Sequence, residues 1–474
     1  MAGVSERPDA FFRLSPAADG KLRWFAIRRG EIKNRFDAKY FALRETLAST
    51  RYPLKSLSEL VREEPNYGAG SRAIVRTLLE QPRYIRITDF GEDGIEPGHE
   101  YVTADPIEPD CELTEGDLLF ARSGATVGKT YLHEDVSEPA MFAGYCIRFR
   151  FRQSVALPKF IYWFTKTETY ARWVATIQRP AGQPNINKEE FKTTQVPLPE
   201  IPEQTKLIAA METARVMRRA KQAEADALLA GLDSYLLATL GLTSPPRPKT
   251  TFAVRVSDLT GVMNPDRYRG LQLEKHLPFM SNVGGVGALI DVRCTPEKEA
   301  PTELWDWIRI DDLPNQPWKV ETLRTERGGN IQGTFFKVEE NDILIARLGP
   351  TIQNSKFILC PKLHRQTVAS SEFLVLRCNP GWHPEAVLWL LRTSLYREIM
   401  YARSRGATPS RYRLDGADLV TIPFPIIDEK VQTAIATEAR RRRDEALRLR
   451  ADEEAGWQAA KHWFEEQLLG PVQS

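Results

Sequence analysis

The chain has 474 residues, 42% of them hydrophobic, and its 65 lysines and arginines against 63 acidic residues leave a formal charge of +2. That length suggests about two to four domains with real cores, which excludes wholesale disorder, and the charge balance neither demands nor forbids nucleic acid. Five scattered cysteines without a CxxC pair, and six histidines that do not cluster with them, argue against a zinc site or disulfide framework and fit a reducing cytoplasm; no signal-peptide core or membrane-length apolar run is present.

Residues 1–20, with Pro8, Pro16 and Gly20, read as a loose leader. A first globular region is expected over 21–200. It mixes short apolar strands such as Tyr84–Asp89 and Gly116–Gly124 with an amphipathic helix from Pro158 to Ile177, whose apolar side is Phe160, Ile161, Trp163, Phe164, Tyr170 and Trp173. These aromatics read as core rather than as a ligand box.

A long helix is expected over 201–243. Helix formers dominate it, Pro202 suits a first turn, and Gly241 suits a C-terminal cap. Ala209, Thr213, Val216, Ala220, Ala223, Ala227, Ala230, Ser234 and Leu237 step by four and three, which reads as a seam of mostly small residues. Residues 244–251, containing Ser244-Pro245-Pro246-Arg247-Pro248, form a stiff linker.

A second globular region is expected over 252–425 and a second long helix over 426–470. Its seam would be Ile435, Ala439, Arg442, Ala446, Leu449, Glu453, Gly456, Ala460 and Trp463. The two halves align in order. Lys39-Tyr40 matches Arg267-Tyr268, Tyr84–Asp89 matches Trp307–Asp312, and Gly116–Gly124 matches Asn341–Gly349. Phe142–Arg150 matches Val368–Arg377, Pro158–Ile177 matches Pro384–Tyr401, and Val196–Pro199 matches Ile422–Pro425, all offset by roughly 223 to 228 residues. Preserved order makes duplication the better account, and the class is α+β, twice, each copy closed by a long helix.

Three segments resemble a family: Gly116–Arg122, then Gln183-Pro184-Asn185-Ile186-Asn187, then Val196–Gln204 opening a long helix. In this order they resemble the specificity subunit of type I restriction–modification systems, over essentially 21–469. The resemblance implies two target-recognition domains whose long helices pair as an antiparallel coiled coil and set the distance between two DNA half-sites. It implies as partners double-stranded DNA, two methyltransferase subunits, and restriction/translocase subunits. S-adenosylmethionine, ATP and Mg²⁺ would belong to those partners, with no cofactor or metal in this chain. The second copy departs from the pattern: Ile426-Ile427-Asp428-Glu429-Lys430 stands for Pro-x-x-Glu-Gln, and Gly406–Ser410 for Gly182–Asn185.

Motifs for catalysis are incomplete. Gly124-Ala125-Thr126-Val127-Gly128-Lys129-Thr130 has three residues between its glycines where a phosphate-binding loop needs four, so a strand–turn–strand with a basic tip is the better reading. Asn264-Pro265-Asp266-Arg267-Tyr268 lacks the second proline of a methyltransferase loop, and Glu190-Phe191-Lys192 is an isolated E-x-K. The chain is therefore expected to do no covalent chemistry.

Groups for DNA contact are better represented. Arg179, Gln183, Asn185, Asn187 and Lys188 crowd one loop, and Arg403, Arg405, Ser410, Arg411 and Arg413 crowd its counterpart. Cations suit phosphates, while Arg, Asn, Gln and Lys can reach base edges; solvated turns are the plainer reading. Arg86 with Arg309, and Arg122 with Arg347, recur beside strands, where a structural ion pair competes with a phosphate contact. Lys129 at the hairpin could reach a phosphate. The run Arg440–Arg443 reads first as a solvated helix face. Besides the DNA-binding module, two alternatives are a nuclease or ATPase acting alone, and a recognition or scaffold subunit of another phage-defence complex. About 38 helical residues give ~57 Å, enough to separate half-sites by roughly one duplex turn of ~34 Å.

Overall fold

The computed structural model describes residues 50–95, 101–134, 136–177, 184–242, 253–256, 265–275, 277–313 and 323–469. The leader 1–20, Lys39-Tyr40, the linker 244–251, Arg179 and Gln183 lie outside them. The chain forms two compact units, residues 1–222 with 451–474, and residues 223–450. Each unit is α+β.

In the first unit a four-stranded antiparallel sheet runs in the order Asn66–Tyr67, Cys146–Phe149, Leu118–Ala121, Thr130–Leu132. All four residues of Leu118–Ala121 are buried. Leu118 and Phe120 pack with Phe160, Ile161 and Trp163, whereas Leu119 and Ala121 pack with Ile85, Met141 and Phe142. A strand covered on both faces reads as a continuous apolar run, because alternate side chains enter different cores. Three smaller pairings complete the frame: Arg83–Ile85 runs parallel to Ala140–Phe142, Leu54–Ser56 antiparallel to Gln195–Pro197, and Arg72–Val75 antiparallel to Val102–Asp105.

The second unit repeats this plan. Its sheet runs Gly287–Ile290, Phe373–Cys378, Ile343–Ala346, Phe357–Leu359. Leu304–Ile308 lies parallel to Thr367–Ala369, and Ser281–Asn282 pairs with Pro423–Phe424. Helices Pro384–Leu391 and Ser394–Arg403 stand where Pro158–Phe164 and Glu168–Ile177 stand in the first. Before the central strand, Gly116 (φ 85°) and Asn341 (φ 69°) make the same left-handed turn, a conformation open to Gly and tolerated by Asn. The next residue is a buried aspartate in both. Asp117 accepts from Arg150 Nε at 2.6 Å, and Asp342 accepts from Arg377 Nε at 2.8 Å.

The first long helix spans Ile201–Thr239 and the second Glu429–Leu469. Gly241, at φ 69°, closes the first: its N–H bonds Ala238 O and that of Leu242 bonds Leu237 O, the paired bonds of a Schellman cap. Each helix begins with a buried glutamine used as a latch. Gln204 accepts from Leu157 N at 2.9 Å and donates to Val155 O and Pro199 O. Gln432 accepts from His383 N at 2.6 Å and donates to Gly381 O and Ile427 O.

Within the first unit the two helices run antiparallel in contact. Leu207 and Met211 share a core with Trp457, Phe464 and Leu468, and Arg218 Nε donates to Glu453 at 2.5 Å. Within the second unit Ala225 packs on Ala446 and Leu449, Leu232 and Leu236 share a core with Ile435 and Ala439, and Arg450 bonds Asp226 at 2.9 Å.

The buried stripe of the first helix differs from the expected one. Ala209, Thr213, Val216, Ala220, Ala223, Ala227, Ala230 and Ser234 are exposed, and only Leu237 is buried. The buried stripe is Leu207, Met211, Arg218, Gln222, Ala225, Leu232 and Leu236, with Gln222 and Arg218 half-buried. Large apolar side chains gain more from burial than alanines do, and the polar residues in the true stripe hide its period. Glu453, in the second stripe, is the partner of both Arg218 and Gln222. In the second helix the expected positions hold from Ile435 to Glu453. They then slip by one, so that Trp457 and Phe464 are buried while Gly456 and Trp463 are exposed. A strict seven-residue repeat drifts against 3.6 residues per turn, and the bulkier residues decide the phase.

Candidate nucleic-acid interface

In each unit three segments meet beside the end of the central strand. In the first unit Arg122 N donates to Tyr145 O at 2.9 Å, and Ile186 N donates to Arg122 O at 2.8 Å. Gly124 N donates to Pro184 O, and Ser123 bridges Asn185. The strand end, the tight turn before Cys146, and the returning segment 184–187 are thereby locked together. A Cβ on Gly68 would fall 2.3 Å from Ala143 O, so glycine alone lets the neighbouring chain approach that turn.

The second unit repeats the bonding. Arg347 N donates to Glu372 O, Leu414 N to Arg347 O at 2.8 Å, and Gly349 N to Tyr412 O at 2.7 Å, while Leu348 bridges Arg413. Asn185 and Arg413 therefore occupy equivalent places on the same scaffold, as do Tyr145 and Glu372. The loop is closed by two mutual backbone bonds between Arg405 and Arg413, each 2.9 Å.

The side chains at these places differ between the units. In the first, the Arg122 guanidinium lies 4.7 Å from the Tyr67 ring centre, and Tyr145 and Asn185 are exposed. Asn187 caps helix Lys188–Lys192 by accepting from Glu190 N at 2.9 Å, and Lys188 pairs with Glu64 at 3.0 Å. In the second, Arg413 donates to Glu372 at 2.7 Å, Arg347 to Asp415 at 2.8 Å, and Arg405 to Asp418 at 3.1 Å. Ser410 shares a hydrogen bond with Thr408 at the loop tip. Arg411 is exposed, with no side-chain partner among the described residues. A cleft of about 420 Å³ is lined by Arg293, Phe335, Phe336, Arg347, Glu372 and Arg413.

Four of the sequence candidates bond to neighbours within their own unit, Lys129 while remaining exposed. Arg86 pairs with buried Asp89 at 3.3 Å, and Arg309 pairs with Asp311 at 3.3 Å beside Trp307. Lys129 Nζ reaches Phe90 O at 3.5 Å, and its counterpart Lys356 reaches Ile310 O and Leu313 O. Each lysine thus closes a short 3-10 turn. Arg403 is largely buried, fixed by both oxygens of Glu274 and by Asp418 O. The structure brings together Arg122, Asn185, Asn187 and Lys188 in one unit, and Arg347, Arg405, Ser410, Arg411 and Arg413 in the other. Sequence reasoning missed Tyr67, Tyr145, Arg293 and Glu372. Tyr145 and Glu372 carried a signal, since both sit inside matched blocks with different chemistry at one position.

The phosphate-loop lookalike is a hairpin. Leu118–Ala121 and Thr130–Leu132 pair antiparallel around the turn Gly124–Thr126, so no helix start faces a phosphate. Glu190 of the E-x-K bonds the Asn187 backbone, and Lys192 pairs with Glu64 and Glu189. Pro265 opens the helix Pro265–Lys275. Among the described residues no group of three or more His, Cys, Asp or Glu could hold a metal ion, and no helix is long and apolar enough to cross a membrane. Each arginine of the Arg440–Arg443 run is paired: Arg440 and Arg443 with Glu385, Arg441 and Arg442 with Glu438.

No curated protein matches the chain. Among the solved structures similar to the chain, three cover most of it at low identity. A chain solved to show complex assembly and conformational transition of the type I R-M system has 14% identity, covers 88% of this chain and 97% of that chain, and gives a TM-score of 0.49. The HsdS subunit from Thermoanaerobacter tengcongensis has 14% identity, the same coverages, and a TM-score of 0.36. The type I restriction–modification S subunit from M. genitalium has 10% identity, covers 90% and 97%, and gives 0.44. The model of the type I restriction modification DNA specificity domain matches residues 101–215. That match takes in the central strand, Arg122, the returning segment and the start of the first long helix; residues 101–215 are a type I restriction–modification DNA specificity domain.

Proposed function

We propose that the whole chain is the DNA-sequence-specificity subunit of a type I restriction–modification complex. Each unit presents its strand-end loop to one half of a split site on double-stranded DNA, with cations on phosphates fixing register and exposed side chains selecting bases. The observation that carries this reading is the repeated loop scaffold, bonded alike in both units and dressed with different side chains, within and beyond the specificity-domain match. An enzyme that read one symmetric site would need no such difference.

The candidate contacts are Arg122, Asn185, Asn187 and Lys188 in the first unit, with Arg179 and Gln183 in the adjoining stretch, and Arg347, Arg405, Ser410, Arg411 and Arg413 in the second. The unread spacer would be set by the two long helices. Two methyltransferase subunits and the restriction/translocase subunits would be the protein partners, in the cytoplasm. They would bring S-adenosylmethionine, ATP and Mg²⁺, and this chain would supply recognition without covalent chemistry.

The test is a genome-wide methylation profile of cells carrying the chain with its partner subunits. A bipartite methylated motif that disappears when this chain is deleted is the expected result. Methylation that persists unchanged without the chain refutes the reading, as does nuclease or ATPase activity of the purified chain alone.

A further inference from the structure

We infer that the two units read different bases from one equivalent position: adenine through Asn185 in the first, and guanine through Arg413 in the second. This rests on the DNA-reading role proposed above and adds the identity of the base. Asn185 bridges Ser123, Arg413 bridges Leu348, and the residue after each bonds back to the strand-end arginine. Both side chains therefore leave the same backbone rung, and both are exposed. In the major groove an asparagine amide matches N6 and N7 of adenine, and an arginine fork matches O6 and N7 of guanine.

Arg413 is also prepared for this task. Its Nη2 donates to Glu372 Oε1 at 2.7 Å, while its side chain remains 54% exposed. One carboxylate bond biases the direction of the guanidinium and leaves further donors for a base edge, since the group carries five. The backbone beneath is fixed as well. Arg405 and Arg413 exchange both backbone bonds, and a Cβ on Gly406 would meet Arg411 O at 2.5 Å. Neighbouring cations are engaged elsewhere: Arg347 with Asp415 and Arg293 with Asp291. Arg411 stands exposed at the loop tip, a placement that suits a phosphate, where direction matters less. Glu372 acts through Arg413 and is a positioning residue. Its counterpart Tyr145 has no carboxylate to orient an arginine, in keeping with an amide at Asn185.

The experiment selects bound sequences from a randomised double-stranded DNA library with the full chain, and repeats this for Arg413→Ala, Glu372→Gln, Arg411→Ala and Asn185→Ala. Melting temperatures check that the variants fold. The expected result is a guanine in one half-site whose preference falls about ten- to hundredfold in Arg413→Ala, the worth of one bidentate pair. The other half-site and the salt dependence of binding stay as they were. Glu372→Gln loosens the same position by less, and Asn185→Ala loosens an adenine in the other half-site. Arg411→Ala weakens all sequences alike and lowers the salt slope by about one. A uniform loss in Arg413→Ala with a lower salt slope would make it a phosphate contact and overturn the inference. So would a motif whose Arg413-sensitive base is not guanine. A wild-type chain that selects no sequence at all would instead overturn the DNA-reading role itself.

Discussion

Replacing Gln204 by alanine tests whether the latch fixes the first long helix to its unit. Gln204 is fully buried and makes three hydrogen bonds, at 2.8, 2.9 and 2.9 Å. The alanine leaves the Leu157 N–H and the carbonyls of Val155 and Pro199 without their partner. At a net ~0.5–1.5 kcal/mol for each bond, the loss is about 3 kcal/mol, more if no water enters. For a unit of this size ~1 kcal/mol moves the melting temperature by ~2–4 °C, so calorimetry should show a fall of roughly 6–12 °C. Amide exchange supplies the local reading, because the Leu157 N–H should lose protection before the central sheet does. Gln204→Glu keeps the acceptor but sets a carboxylate against two carbonyls, so it should melt no higher than the alanine variant at neutral pH. A Gln204→Ala protein that melts within about one degree of wild type, with Leu157 still protected, refutes the latch. Gln432→Ala should cost about the same, since its donated bonds are longer, 3.2 and 3.0 Å, but its accepted bond is shorter, 2.6 Å.

The position of the helix seam gives a paired test. Ala225→Leu overfills the contact with Ala446 and Leu449 and should cost about 1–3 kcal/mol, whereas exposed Ala223→Leu should stay within ~0.5 kcal/mol by denaturant titration. Burial acts to raise the Glu134 carboxyl, but hydrogen bonds from Lys159 and Arg215 outweigh it and hold its pKa below the ordinary 4.5. A depressed carboxylate pKa stabilises the fold above the ordinary value and loses that effect as pH falls through the folded one. Glu134→Gln should therefore melt lower than wild type at pH 7, and the gap should close on acidification below 4.5. Gly406→Ala must push the Arg411 carbonyl aside. Selection experiments should show sequence preference blurred in one half-site only, with a lower melting temperature because the clash is with backbone. Lys159→Glu faces Glu134 and Glu212 with a third acid and should lose about 1 kcal/mol by denaturant titration.

The frame was legible where a residue type had one structural use. The matched blocks Gly116–Gly124 and Asn341–Gly349 became the same turn and central strand in both units, with the apolar runs Leu118–Ala121 and Ile343–Ala346 buried throughout. Gly241 did end its helix. The seam of the first helix was not legible, because alanines at heptad spacing look like a contact stripe when they are merely good helix formers. Its true stripe contains Arg218 and Gln222, whose presence makes sense only once Glu453 stands opposite. Neither latch was legible as one in the sequence. The departure from Pro-x-x-Glu-Gln drew attention to Asp428-Glu429-Lys430, while the functional glutamine persisted two residues on as Gln432. At the interface, the sequence match set Gly406–Ser410 against Gly182–Asn185, and only the backbone bonding makes Arg413 the counterpart of Asn185. Tyr67 and Arg293 could not be aligned, because they enter from strands for which no repeat was read.

Duplication also raises a problem that the sequence solves with charge. Both latches accept one backbone N–H and donate to two carbonyls, so hydrogen bonding at the latch does not tell one copy's helix from the other's. Near each latch the copies differ in sign. Lys159, second residue of helix Pro158–Phe164, meets Glu134 and, at 3.9 Å, Glu212 on the long helix. Glu385, second residue of helix Pro384–Leu391, meets Arg440 and Arg443. Glu212 and Arg440 stand the same distance beyond Gln204 and Gln432. A long helix docked on the wrong copy would set Lys159 against Arg440, or Glu385 against Glu212. Opposed like charges convert a modest gain into a penalty of similar size. Within the four-arginine run Arg440 and Arg441 remain exposed, while Arg440 and Arg443 also meet Glu385, a pairing that favours the second helix on its own unit by a modest amount.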